Sequence, residues 1–174
     1  PPPPPPPLFK PQTAYEMHPS LVGSEMGIRD RMIPRTLFTA EHEIFRNTVQ
    51  RFIAEYVSPY HADWEKAGEV PRHLWIKAGQ LGLLCCNVPE FYGGMGGDFL
   101  HSAVLVEEFS LAGATGPTFY LHSDIVAPYL VDFGTEDQKQ KWLPRMAKGE
   151  VTVALGMSEP SGGSDVASMR TVAV

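Results

Sequence analysis

The sequence predicts a mainly α fold: an N-terminal antiparallel helical bundle followed by one strand and a loop that open a β domain. Three observations carry this expectation. Apolar residues recur at helical spacing in five segments between Thr39 and Lys148. The links between those segments are short and carry Gly or Pro. At Val151 the helical period gives way to a β-branched apolar run.

Residues 1–35 precede the first periodic segment and read as a disordered or artefactual tail. Pro1 to Pro7 favour an extended polyproline helix without internal hydrogen bonds, which cannot contribute a core. A tail is a better reading than a ligand for a proline-binding domain, because no docking pattern stands nearby. Ser20 to Arg31 resembles a translated sequencing adapter, and neither a secretory signal nor an import peptide is convincing before Arg35.

The helical domain is expected over residues 36–150. Its first helix starts at Thr39 as N-cap, carries Glu41 and Glu43 in the first turn, and repeats Phe45, Val49, Phe52, Ile53 and Tyr56 until Pro59. The second takes Pro71 as its first residue, presents Leu74, Trp75, Ala78 and Leu81, and stops by Gly82. Pro89 to Gly97 contains four glycines in five residues, so it is a loop. That loop fits neither a Walker A nor a dinucleotide fingerprint, which favours a structural turn over a phosphate site.

Asp98 caps a third helix through Ala112, with Leu100, Ala103, Val104 and Val106 as its apolar positions and Glu107 and Glu108 on a solvated face or in an interhelical salt bridge. The fourth runs from Pro117 to Phe133 and is apolar enough, through Phe119, Ile125, Val126, Tyr129, Leu130 and Phe133, to be central. Thr135 and Gln138 form a capping box for the fifth, which Pro144 kinks and Gly149 closes.

Composition bounds the function. With 174 residues, 43% hydrophobic, a net charge of −6 and a pI near 5.5, the chain holds one core-bearing domain and no basic surface for nucleic acid. Cys85 and Cys86 are neighbours, which rarely pair with each other, so both are expected reduced, in bacterial cytoplasm or mitochondrial matrix. The histidines show no His-x-x-x-His and no cysteine partners, so no metal site is expected. There is likewise no Gly-x-Ser-x-Gly elbow.

Val151 to Met157 is a strand by composition, placing a boundary near Glu150 and a second domain over 151–174. It leads into Ser158-Glu-Pro-Ser-Gly-Gly-Ser-Asp165. Pro160 keeps Glu159 extended, and Gly162 and Gly163 let the backbone approach a ligand. Amides and hydroxyls in such a loop suit phosphate oxygens. On composition alone, an ordinary serine-glycine connection fits equally well.

Gly156 to Asp165 resembles the signature of the acyl-CoA dehydrogenase family, in which Thr or Ser, Glu, Pro, small residues, Gly, Ser and Asp follow a strand. Trp64 to Gly68, Lys77 to Leu83, Gly93 to Asp98 and Gly134 to Lys139 stand in family-like order upstream, and the resemblance covers residues 37–171. Trp64 to Val70 and Gly116 to Ser123 are most similar to the long-chain branch, whereas Ser161 stands where the family usually has Gly.

The resemblance implies FAD as cofactor, with Leu155, Gly156, Met157, Ser158, Gly163 and Ser164 as its contacts. Ser164, Phe119 and His122 would touch acyl-CoA, and Thr118 lies on the same helix. It further implies oxidation of long-chain acyl-CoA to trans-2-enoyl-CoA in fatty-acid β-oxidation, electron-transfer flavoprotein as electron acceptor, and homo-tetramers or dimers. No catalytic residue is assigned: the family's carboxylate base lies beyond residue 174, and Glu107, Glu108 and Glu159 are not promoted to replace it. An acyl-CoA oxidase and a non-catalytic helical interaction module are the rival readings.

Overall fold

The computed structural model describes residues 36–172; the expected tail of residues 1–35 lies outside them. The described residues from Phe38 to Val172 belong to one compact unit, to which the following description applies.

Helix α1, Ala40–Phe52, begins at Thr39, whose backbone N–H donates to His42 Nδ1 at 3.0 Å. Phe45, Val49 and Phe52 fall on its buried face, as their spacing requires. The helix continues through a π-helical turn, Ile53–Val57, in which the Ser58 N–H reaches back to the Ile53 carbonyl at 2.8 Å. Pro59 has no N–H to extend it further.

Helix α2, His61–Ala67, was not expected from the sequence. It buries no residue, so no apolar period announces it. Trp64 stacks on Tyr60, with ring centroids 6.1 Å apart, and Gly68 closes it at φ 74°. Helix α3, Arg72–Gln80, uses Pro71 as its cap rather than as its first residue, and buries Leu74 and Ala78. Leu81 lies past its end and is exposed.

Helix α4, Phe99–Leu111, starts at Asp98 as expected, and its buried face is His101, Ser102, Val104, Leu105, Glu108 and Phe109; Val106 points outward. Helices α1 and α4 lie side by side and run in the same direction, since His42 meets Asp98 at one end and Phe52 meets Phe109 at the other. Between them Arg46 Nη1 donates to Glu107 at 2.7 Å and to Glu108 at 2.5 Å, and Gln50 donates to Glu108 at 3.0 Å. Glu107 and Glu108 are thus partners in an interhelical salt bridge.

The run over residues 119–133 contains a π-helical turn, Leu121–Val126, followed by helix α5, Ala127–Phe133. Pro128 near the start of α5 cannot donate to the preceding turn, a common cause of such an irregularity. The extra residue of the π turn rotates everything after it by roughly 100° about the axis. Phe119, His122, Ser123 and Ala127 are therefore buried, while Ile125, Tyr129 and Phe133, expected on a central face, are exposed.

Helix α6, Glu136–Ala147, opens with the expected capping box: Gln138 N–H donates to Thr135 Oγ1 at 3.3 Å and Thr135 N–H to Gln138 Oε1 at 2.9 Å. It returns antiparallel to the 119–133 run, His122 facing the Met146 carbonyl. One core joins α1, α3, α4 and Phe119; a second joins Cys85, Val88, Tyr92, Ala127, Leu143, Met146 and Ala147.

The stretch 151–157, expected as a strand, forms none. Among the described residues the single β-bridge is Glu159 to Gly162, so no second strand stands beside Val151–Met157 to pair with it.

Candidate functional site

The chain leaves α6 through Gly149 and is fastened by α3. Arg72 donates from Nη2 to the Glu150 carbonyl and from Nη1 to Thr152 Oγ1 at 3.5 Å. Val153 then packs on the second core. Beyond it Leu155, Gly156, Met157 and Ser158 are all exposed, and so are Gly163 and Ser164. A Cβ built on Gly156 or Gly163 would meet nothing within 4 Å, leaving both backbones open to a ligand. The structure therefore brings the six expected cofactor contacts onto one exposed segment.

Glu159 organises this segment. It exchanges backbone hydrogen bonds with Gly162 at 3.1 and 3.0 Å, and its carboxylate accepts from Arg170 N–H at 2.6 Å, Thr171 N–H at 3.1 Å, Thr171 Oγ1 at 2.5 Å and Ser161 Oγ at 3.0 Å. These donors, the Thr171 hydroxyl and the Arg170 amide foremost, hold its carboxyl down at about 2. So low a value makes it a poor proton acceptor near neutral pH, whereas its geometry makes it the staple that folds residues 159–171 back on themselves. Ser161, the departure from the usual Gly, donates into that staple.

Phe119 and His122 sit elsewhere, beneath the helices. Both are almost fully buried and pack edge-on against Trp75, at 4.8 and 5.4 Å between ring centroids. His122 Nε2 lies 3.2 Å from the Met146 carbonyl, which makes Nε2 the donor and leaves the buried Nδ1 without a partner. Burial lowers its pKa and keeps the ring neutral. Thr118 instead borders a cleft of about 420 Å³ with Trp64, Val70, Trp75 and Gly116. Neither Phe119 nor His122 touches the 155–164 segment: both form part of the wall behind Trp75.

Cys85 and Cys86 are free and buried. Burial pushes the Cys85 thiol up to about 12 and Cys86 higher still, so neither is a nucleophile. Asp124 accepts from Ser102 Oγ at 2.6 Å and is raised by burial, and Ser123 Oγ accepts from Cys85 N–H at 2.9 Å.

Three residues escaped the sequence reading. The signal for two of them was present: Thr39-x-x-His42 and Asp98-x-x-His101 have capping-box spacing, with His where Glu or Gln is usual. Their rings converge on Asp98, His42 Nε2 and His101 Nδ1 each lying 2.9 Å from Oδ1. Arg72, the third, left no local signal, because its partners are contributed by residues 150 and 152.

A helical body that delivers an open serine- and glycine-rich loop defines the class of an acyl-CoA dehydrogenase N-terminal domain, and the profile of that domain matches residues 39–150. The chain belongs to the acyl-CoA dehydrogenase family. It is 50% identical over 137 residues to the mitochondrial long-chain specific acyl-CoA dehydrogenase of Rattus norvegicus, covering 79% of this chain and 32% of that protein. An acyl-CoA dehydrogenase of Geobacillus kaustophilus superposes with a TM-score of 0.73 at 43% identity, over 77% of this chain and 35% of that one. One from Bacillus anthracis, complexed with FAD, gives 0.68 at 36% identity, over 79% and 24%. The chain spans about a third of the length of the curated relatives it matches.

Proposed function

We propose that this chain is the helical N-terminal domain, residues 36–150, and the opening of the middle domain, residues 151–174, of an FAD-dependent acyl-CoA dehydrogenase acting on long-chain substrates. The observation that carries it is the exposed segment Leu155 to Ser164, held in shape by Glu159 on a body of the dehydrogenase family. The residues fit the group: two open glycine backbones, two serine hydroxyls and exposed apolar Leu155 and Met157 suit the edge of a flat, polar-rimmed ring system.

In this reading Leu155, Gly156, Met157 and Ser158 would line the flavin ring, with the Ser158 hydroxyl available as a hydrogen-bond donor, and Ser164 with the Gly163 backbone would hold pyrophosphate and acyl-CoA oxygens. FAD supplies the hydride acceptor when bound. Phe119 and His122 shape the acyl cavity from behind Trp75. The family resemblance implies that the proton acceptor is a carboxylate outside residues 1–174; within the chain Glu107 and Glu108 pair with Arg46, and Glu159 serves its own loop. Electron-transfer flavoprotein takes the electrons, and the whole protein assembles as a homo-tetramer or dimer. Mitochondrial matrix or bacterial cytoplasm suits two buried free thiols, and the rat relative is mitochondrial.

The test is the flavin absorbance of the full-length protein at about 450 nm, which palmitoyl-CoA should bleach without oxygen. Absence of bleaching removes the long-chain assignment; steady peroxide formation in air assigns an oxidase instead.

A further inference from the structure

We propose that Arg72 is a positioning residue for the flavin: by holding the Glu150 carbonyl and the Thr152 hydroxyl against the start of α3, it sets the direction in which Leu155 to Ser164 leave the helical body. This role rests on reading Leu155 to Ser164 as the FAD edge.

Residues 148–152 run back along α3. The Lys148 backbone lies against Gly79, where an added Cβ would come within 2.3 Å of the Lys148 carbonyl carbon. Gly149, at φ 69°, lies against the Trp75 carbonyl, 2.1 Å from where its own Cβ would stand. Arg72 then takes Glu150 and Thr152. Positions 79, 75 and 72 share one face of the helix, so the three contacts form a line. Seven residues of helix rise about 10 Å, which four residues of chain span only when extended, since a further turn of helix would cover about 6 Å. From α6 the Arg145 carbonyl accepts from the Glu150 N–H at 2.9 Å and the Val151 N–H at 3.3 Å. These bonds fix where the exit starts. Arg72 is the last polar grip before Val153 packs on the second core and the chain runs out to exposed Leu155.

The side chain has the form such a grip needs. Nη2 donates to the Glu150 carbonyl and Nη1 to the Thr152 hydroxyl at 3.5 Å; a planar fork fixes an orientation where a single donor fixes a point. An arginine at the first position of a helix opposes the dipole, so the stability of α3 does not account for it. Only three residues, at most about 11 Å of chain, separate Thr152 from Leu155, so a change of direction at Thr152 is carried into the segment beyond. A misplacement of about 1 Å between reacting groups costs about a hundredfold in rate.

The full-length protein carries the test. Titrating its apoprotein with FAD gives the dissociation constant, and visible circular dichroism at saturating FAD reports the surroundings of the flavin ring. We expect Arg72→Ala to bind FAD about three- to tenfold more weakly and to change that spectrum, and Arg72→Lys to recover part of both. Thr152→Val should lose less than Arg72→Ala and add nothing to it in the double variant, since the hydroxyl acts through the guanidinium. A merely structural role lowers the melting temperature of the apoprotein and leaves affinity and spectrum alone; that outcome overturns the proposal. If Arg72→Ala does not fold, Thr152→Val decides by itself, and wild-type affinity in it overturns the proposal. A wild type that binds no flavin sinks the FAD reading of residues 155–164 and this role together, whereas a flavin-loaded wild type matched by its variants sinks this role only.

Discussion

Asp98 ends the glycine loop, caps α4 and joins it to α1, so one carboxylate serves two elements. The hydrogen bond from His42, with the second from His101, draws its carboxyl from 3.8 to about 2. A depressed folded-state value contributes stability that is fully present above the unfolded value, near 3.8, and is lost as pH falls through about 2. Asp98→Asn should therefore melt below wild type at pH 6, with the gap closing as both are titrated toward pH 2; a gap independent of pH removes the charge from the account. Asp98→Ala, which also loses the cap, should melt lower than Asn at every pH. Glu159 is the corresponding residue in the loop. Glu159→Ala should bring amide exchange at Arg170 and Thr171 to the rate of an unstructured peptide while helix protection stays unchanged. Retained protection at those two amides would show that another contact folds the loop. At this scale the caps were legible, because Asp98 and Thr135 accept from amides two or three residues away and Thr39 meets the side chain of His42 three residues on. The convergence of His42 and His101 was not, because it links positions 56 and more residues apart.

The existence of the longer helices follows from their period, but their faces do not. In α1 the spacing of Phe45, Val49 and Phe52 holds because nothing interrupts the turn before Phe52. Over 119–133 the π turn ahead of Pro128 changes the register, so a correct helix was assigned the wrong buried side. α2 escaped notice because a helix that buries nothing leaves no periodic trace. Contact between elements gives a sharper test in α3. An alanine in place of a helical glycine ordinarily stabilises by about 0.5–1 kcal/mol. At Gly79 the added Cβ would lie 2.3 Å from the Lys148 carbonyl carbon, a backbone atom at the end of α6 that cannot swing aside. Gly79→Ala should thus destabilise by about 1–3 kcal/mol in denaturant unfolding. A neutral or stabilised variant would mean that α3 and the end of α6 are free to part.

For the whole molecule, the helical part closes cores of its own and the segment after Glu150 does not. Two cores close over residues 38–147, whereas Leu155, Met157, Val166, Met169 and Val172 stay exposed with no described sheet beneath them. The β-branched pattern of Val151 to Met157 predicts a strand that the structure does not form, since a strand exists only with a partner's N–H and C=O groups beside it and none stands there among the described residues. The same reasoning applies to the cofactor. The six proposed FAD contacts occupy one edge, open on its other sides, so this chain supplies orientation but little burial of the ligand. A ligand at a hundred times its dissociation constant stabilises a folded protein by about 2.7 kcal/mol. Titrating FAD into the isolated chain should therefore leave its melting temperature unchanged, while the full-length protein melts higher with FAD than without. In the full-length protein Ser158→Ala and Ser164→Ala should each weaken FAD retention. A saturable rise in the isolated chain's melting temperature would mean that the Leu155 to Ser164 edge binds the flavin without the rest of the enzyme.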